Sequence, residues 1–168
     1  MEHGAVNKKR TRGGSRTGFT LLELVLALAI VVIFGLVLLL NLPGRRNRGE
    51  LEETAQQIAA LLREAQSRSV SQASSSAWGV HFENSTITAP FYALFASSYA
   101  STSVVTFYRL PQRVQYINST LAFGESKNIT FQQLSGFAVA STTIGIVLVQ
   151  DPRVSSTLRV ASSGAVTY

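Results

Sequence analysis

The chain has 168 residues, of which 46% are apolar, and it contains no cysteine, so neither disulfides nor thiolate metal sites hold it together. Its formal charge of +6 is unevenly placed: Lys8, Lys9, Arg10, Arg12 and Arg16 all precede the first apolar run. Five of the fifteen basic residues and one of the nine acidic ones lie in residues 1–18, leaving ten, eight and a net +2 beyond, which does not support a strongly basic binding face there.

From Phe19 to Leu40 the only markedly polar side chains are Thr20 and Glu23. As a helix these 22 residues rise about 33 Å, enough to cross a hydrocarbon core of about 30 Å. A cleaved secretory signal has a shorter apolar core that ends at small residues, whereas here the basic segment meets the run at Gly18 and no such site follows; the helix is expected to stay in the mature protein. Five Lys or Arg stand before the run against Arg45, Arg46 and Arg48 after it, which favours a cytoplasmic N-terminus. Glu23 is costly inside lipid, by a few kcal/mol at full depth and less near the interface. Lying at headgroup level, solvated or protonated, is its bland reading; a functional partner is the sharper one.

Gly18, Phe19, Thr20, Leu21, Leu22 and Glu23, behind a basic leader and ahead of an unbroken apolar run, resemble the prepilin N-terminal motif of type IV pilins and type II secretion pseudopilins. The resemblance implies that an inner-membrane prepilin peptidase cuts after Gly18 and N-methylates Phe19. It also implies that Glu23 neutralises the terminal amine of a neighbouring subunit during assembly. An ammonium and a carboxylate, each costly in lipid, become tolerable when they pair at short range. The motif covers about the first quarter of the chain.

Asn41, Leu42, Pro43 and Gly44 end the apolar run; Pro43 has no N–H for the carbonyl of Leu39, so a kink or hinge is expected at Pro43 and Gly44. Asn47 and Glu50 have capping-box spacing and open a second, amphipathic helix with the stripe Leu51, Ala55, Ile58, Leu62 and Ala65 and a surface pair Glu64–Arg68. The Ser- and Ala-rich run 67–76 reads as frayed helix end and linker, its serines as linker residues and not nucleophiles.

From residue 77 the period becomes alternating, with Trp78, Val80 and Phe82 on one face and Gly79, His81 and Glu83 on the other. Further strands are expected at 91–96, 104–110, 113–117, 129–133, 136–140, 144–150, 157–161 and 165–168, with turns at Pro152 and at Ser163–Gly164. The fold class is therefore α+β: a long N-terminal apolar helix, kinked near Pro43, then an amphipathic helix packed on an antiparallel meander. The organisation is a leader over 1–18, an assembly helix over 19–42, an amphipathic helix and linker over 43–76 and a β-rich head over 77–168. The order of helix then strands, with the Ser-Gly-Ala-Val ending, is similar to the H-type minor pseudopilins and their pilus counterparts. Major pilins commonly carry a disulfide-bounded C-terminal region or a calcium loop, and neither is recognisable here.

No catalytic constellation, cofactor or metal site is expected. His3 and His81 do not form a metal-ligand pair, and His81 reads as a strand residue facing solvent. Asp151, the one aspartate, precedes Pro152 in a turn; no phosphate-binding glycine loop occurs, and a Ser-His-Asp set exists only by free choice among many serines. Phe91, Tyr92, Phe95, Tyr99, Phe107 and Tyr108 read as core in preference to a base-stacking surface. Asn84, Asn118 and Asn128 begin Asn-x-Ser/Thr triplets and read as turn residues.

The expected function is that of a minor pilin or pseudopilin in a type IV pilus-like or type II secretion filament. Its partners would be the prepilin peptidase, other pilin or pseudopilin subunits, an inner-membrane assembly platform and the lipid bilayer. It would sit in the inner membrane by a single pass, head outside, before entering the filament. A DNA-binding pilin of an uptake system is the alternative, and requires Arg109, Arg113, Lys127, Arg153 and Arg159 to converge on one face. A signal-anchored envelope enzyme is the third, marked by a mature N-terminus at Met1.

Overall fold

The computed structural model describes residues 18–40 and 42–168, without the side chains of residues 37–46. The basic residues and His3 ahead of Gly18 lie outside the described residues, as does Asn41. The chain forms two compact units, Met1–Asn41 and Leu42–Tyr168. The first contains helix α1, Leu21–Leu40. The second contains helix α2, Leu42–Val70, a short 3-10 turn at Ala73–Ser75, and eight strands.

Helix α2 starts earlier than the Asn47–Glu50 spacing predicts. Pro43 and Gly44 fall in its first turn, where a missing N–H leaves no helical bond unmade. Asn47 is consequently inside the helix and does not cap it; its Nδ2 donates to Gln150 Oε1 at 3.1 Å and its Oδ1 accepts from Arg113 at 3.2 Å. The predicted stripe is buried from Leu51 through Ala65, with Thr54, Ala59 and Leu61 added to it. On the outward side Arg68 bonds Glu64 at 2.6 Å, an exposed pair of small energetic weight. The helix runs on to Val70, so Ser67 and Ser69 are helical and not linker. Ser69 is buried, and its Oγ accepts the Trp78 N–H at 2.8 Å, pinning the start of the first strand to the end of the helix.

The strands are β1 Trp78–Glu83, β2 Phe91–Ala96, β3 Val104–Arg109, β4 Val114–Tyr116, β5 Ser126–Phe131, β6 Thr142–Leu148, β7 Ser155–Val160 and β8 Val166–Thr167. The α+β class holds, with α2 packed on antiparallel sheet, but the strands do not form one meander. They make two four-stranded sheets, in the orders β3-β2-β1-β5 and β4-β6-β7-β8. After β3 the chain leaves the first sheet to lay down β4, then returns on the far side of β1 as β5 in the register Trp78↔Phe131 to Glu83↔Ser126. β5 starts at Ser126, ahead of the expected residue 129, and the strand expected over 136–140 is reduced to one bridge between Ala138 and Phe131.

Both sheets contact α2, through β1, β2 and β5 on one side and β6, β7 and β8 on the other. Ile58, Leu62, Val80, Phe82, Phe131 and Ile146 are fully enclosed. Phenol hydroxyls tie the layers: Tyr92 donates to Gln57 Oε1 at 2.7 Å, and Tyr116 of β4 donates to the Phe91 carbonyl of β2 at 2.9 Å. Close approach also requires glycine at two places. A Cβ on Gly79 would lie 2.6 Å from the Ile129 carbonyl oxygen and 2.7 Å from the Phe95 ring. Gly164, at φ +85°, sits against the Gly136 carbonyl and the Gln66 side chain, so the last turn closes onto α2 only without a side chain.

Burial pushes the Tyr92 and Tyr116 phenols well above the ordinary phenol value, with each phenol's aromatic neighbour adding to it: Tyr108 for Tyr92, and Tyr92 for Tyr116. The folded state thus ionises later than the unfolded one, and the stability these groups contribute is complete below pH about 10 and is lost as pH rises beyond it. Denaturant midpoints of the full chain measured across alkaline pH are expected to fall from about pH 10 upward, with a shallower fall in Tyr116→Phe. Gly79→Ala is expected to destabilise by about 1–3 kcal/mol in the same assay at neutral pH, because the added methyl overpacks against backbone.

Candidate functional site

The sequence singles out the segment that opens α1. Gly18, Phe19 and Thr20 precede the helix and are exposed, Phe19 at 83%. The Gly18–Phe19 bond is therefore outside regular structure, where an enzyme can reach it. Thr20 caps the helix: its Oγ1 accepts the Glu23 N–H at 3.2 Å while its carbonyl accepts the Leu24 N–H at 3.2 Å. Glu23 stands at the third helical position, with its carboxylate in the first turn, where the helix dipole favours negative charge. Thr20 as a cap is a functional residue that the sequence reading did not single out. The signal was present as Thr-x-x-Glu ahead of an apolar run, the spacing of a capping box.

Behind this cap α1 is apolar on all sides, and the described side chains of residues 21–36 are all exposed. Among the described residues no helix is long and apolar enough to cross a membrane. The expected hinge residues Pro43 and Gly44 are helical in backbone, as described above.

The head holds a second cluster, and it corrects the reading of His81. The ring is 3% exposed and does not face solvent. Tyr99, from the loop between β2 and β3, stacks on it with ring centroids 3.4 Å apart and planes 7° from parallel, and Phe91 flanks it at 5.7 Å. Its Nδ1 meets Asn128 Oδ1 at 2.6 Å and its Nε2 meets Glu83 Oε2 at 3.3 Å. Ser103 Oγ holds the loop by donating to the Ser98 carbonyl at 2.6 Å. Burial raises the Tyr99 phenol, and Glu83 adds to the shift. Among the described residues there is no group of three or more His, Asp or Glu side chains placed to hold a metal ion.

Four of the five basic residues of the alternative reading lie on separate strands or loops. Arg109 and Lys127 lie on opposite edges of the first sheet, and Lys127 Nζ donates to the Thr120 carbonyl at 2.7 Å. Arg113 stands 3.7 Å from Glu50 beside α2, and Arg159 belongs to β7 of the second sheet. Of the three Asn-x-Ser/Thr triplets, Asn84 is buried and donates to the Leu121 carbonyl at 3.0 Å, Asn118 is exposed in a turn, and Asn128 lies in β5, contrary to its expected place in a turn. Of the six aromatics expected in the core, Phe91, Tyr92 and Phe95 are buried and Phe107 is exposed.

No family model matches the chain, and no curated protein does. Among solved structures it is similar to two crystal forms of the type IV minor pilin FimU of Pseudomonas aeruginosa strain PAO1. The form in space group P21 has a TM-score of 0.50 at 18% identity, covering 71% of this chain and 88% of that one. The form in P65 has a TM-score of 0.47 at 16% identity, covering 70% and 90%. At this identity the first likeness shows a type IV pilin-like fold.

Removing the cap isolates the role of Thr20. Thr20→Ala is expected to weaken the first turn of α1 by about 1 kcal/mol, seen as faster amide hydrogen exchange at Glu23 and Leu24 of the detergent-solubilised full chain, with Thr20→Ser close to the parent.

Proposed function

We infer that the chain is a minor pilin or pseudopilin, cut after Gly18 by a prepilin peptidase, N-methylated at Phe19 and assembled into a filament through its N-terminal helix. The observation that carries this reading is the start of α1. A scissile-type Gly–Phe bond lies exposed just ahead of a capped helix, and the helix bears a single carboxylate, Glu23, in an otherwise apolar sequence. The pilin-like fold of the chain supports it independently.

The mechanism follows from the electrostatics of the new terminus. Cleavage creates an ammonium at Phe19 beside an apolar rod, and each such charge is costly in lipid until it meets an opposite one. Glu23 of one subunit meets the Phe19 amine of the next; that pairing sets axial register, while the exposed Leu, Val and Ile side chains of α1 pack against neighbouring copies of the helix. Before assembly the same run, Phe19 to Leu40, anchors the subunit in the inner membrane with its N-terminus in the cytoplasm and its head outside. On this reading residues 1–18 are the leader, 19–42 the assembly helix, 43–76 the amphipathic helix and linker and 77–168 the head, with Pro43 and Gly44 as the hinge. An assembly platform and its ATPase supply the work, since the chain has no phosphate-binding loop of its own.

Mass analysis of the mature protein is expected to find a methylated Phe19 at the N-terminus. Glu23→Ala is expected to leave cleavage intact and abolish incorporation into filaments. A protein that keeps its leader in cells with an active prepilin peptidase overturns the reading, and so does normal assembly of Glu23→Ala.

A further inference from the structure

The first sheet has two outer edges, β3 and β5, and they are complementary. We propose that the β3 edge of one copy pairs with the β5 edge of a second copy of this chain, joining their sheets into one continuous antiparallel sheet.

Among the described residues strand β3 is an open edge of six residues, Val-Val-Thr-Phe-Tyr-Arg, with no proline and with its one charge at the end. Natural sheets usually blunt such an edge with shortness, charge, proline or a bulge; β3 has a bulge at Val105, opposite Leu94 and Phe95, and is regular from Thr106 to Arg109. The edges of the second sheet are blunted in this way: β4 has three residues and β8 two. Phe107, paired with Ala93 on the sheet face turned away from α2, is 47% exposed, and the bulge residue Val105 is 52% exposed.

The main-chain alternation says which groups are free. The Leu110 N–H donates to the Pro90 carbonyl, so Tyr108 and Thr106 bond inward to β2, and Phe107 and Arg109 turn their N–H and C=O groups to the open edge; beyond the bulge the inward residue is Ser103, whose carbonyl accepts the Ala96 N–H. On β5 the Glu125 carbonyl accepts the Asn84 N–H on the β1 side. Ser126 and Asn128 therefore turn outward, as does Thr130, whose carbonyl is already taken by the Val139 N–H at 3.0 Å. The open stretch of β5 thus ends after Asn128. It matches the C-terminal half of β3 in the register Arg109 to Ser126 and Phe107 to Asn128.

Three features of this register agree without adjustment. The strands of the sheet alternate in direction, so β3 of one copy meets β5 of the next in the antiparallel sense. The residues free at each edge carry their side chains on the same face, away from α2, so the helices of both copies stay on one side of the joined sheet. Charge matches as well: Ser126 pairs with Glu83 within its own sheet, placing that carboxylate about 10 Å from the backbone of the incoming Arg109, a gap that the two side chains span. Because the two edges differ, the contact is head-to-tail, the type that builds an open filament when the rotation between copies does not close a ring.

The inference takes its setting from the filament reading but has its own point of failure. The parent chain has no cysteine, so two full-length variants, Arg109→Cys and Ser126→Cys, carry the only thiols when mixed in detergent and oxidised. A hydrogen-bonded antiparallel pair brings Cα atoms to about 5.5 Å, within disulfide reach. The expected result is a mixed disulfide that dominates over either self-linked dimer. Phe107→Pro, which removes an outward N–H without breaking the ladder to β2, is expected to abolish the mixed disulfide when added to the Arg109→Cys variant, while Phe107→Ser retains it in part. Absence of the mixed adduct overturns the proposal, as does an Arg109→Cys self-adduct of equal abundance. In a chain with a processed, methylated Phe19, that outcome leaves the filament reading standing and removes only this contact.

Discussion

The head depends on one buried stripe. Leu51, Ala55, Ile58, Leu62 and Ala65 of α2 are enclosed, and the two sheets both lie against that helix. Each large aliphatic side chain so buried is worth about 1.5–3 kcal/mol, and with no cysteine in the chain this packing is the main source of stability. The polar ties follow from it. Tyr92 reaches Gln57 and Tyr116 reaches the Phe91 carbonyl only because the helix has brought the strands to that spacing. Ser69 adds a bond that starts β1 at a set distance from the end of the helix.

The other helix obeys the opposite rule. The described side chains of α1 are exposed throughout, and an all-apolar surface of that kind is stable only against lipid or other helices. A single carboxylate in such a surface is an energetic anomaly, and the Thr20 cap explains only part of it. The cap accounts for the tolerance of Glu23 in the first turn. On the filament reading proposed above, the Phe19 amine of another copy would supply the cationic partner for this charge.

The outer face of the first sheet shows how a loop changes the character of a strand. His81 alternates with core residues and so points away from α2, yet it is buried because Tyr99 folds over it and Phe91 closes the side. Asn128 and Glu83 occupy both ring nitrogens, which makes the cluster a brace for the loop that precedes β3. That brace holds the open β3 edge in place while leaving Phe107 and Val105 uncovered.

What the sequence determined by itself is local. The α2 stripe and the position of most strands follow from periods of 3.6 and 2, and the Gly18 to Glu23 motif and its capping spacing are contiguous in the chain. Sheet order is not local. β4 leaves the first sheet and β5 returns on the other side of β1, a choice set by which apolar faces fill the space around α2, and nothing in either strand's own pattern records it. The same holds for Asn47, whose capping spacing is overridden once α2 begins at Leu42, and for His81, whose cover comes from a serine-rich loop that reads as solvent-exposed. Only the tertiary structure revealed the two complementary edges, because edge status belongs to a strand's neighbours and not to its residues.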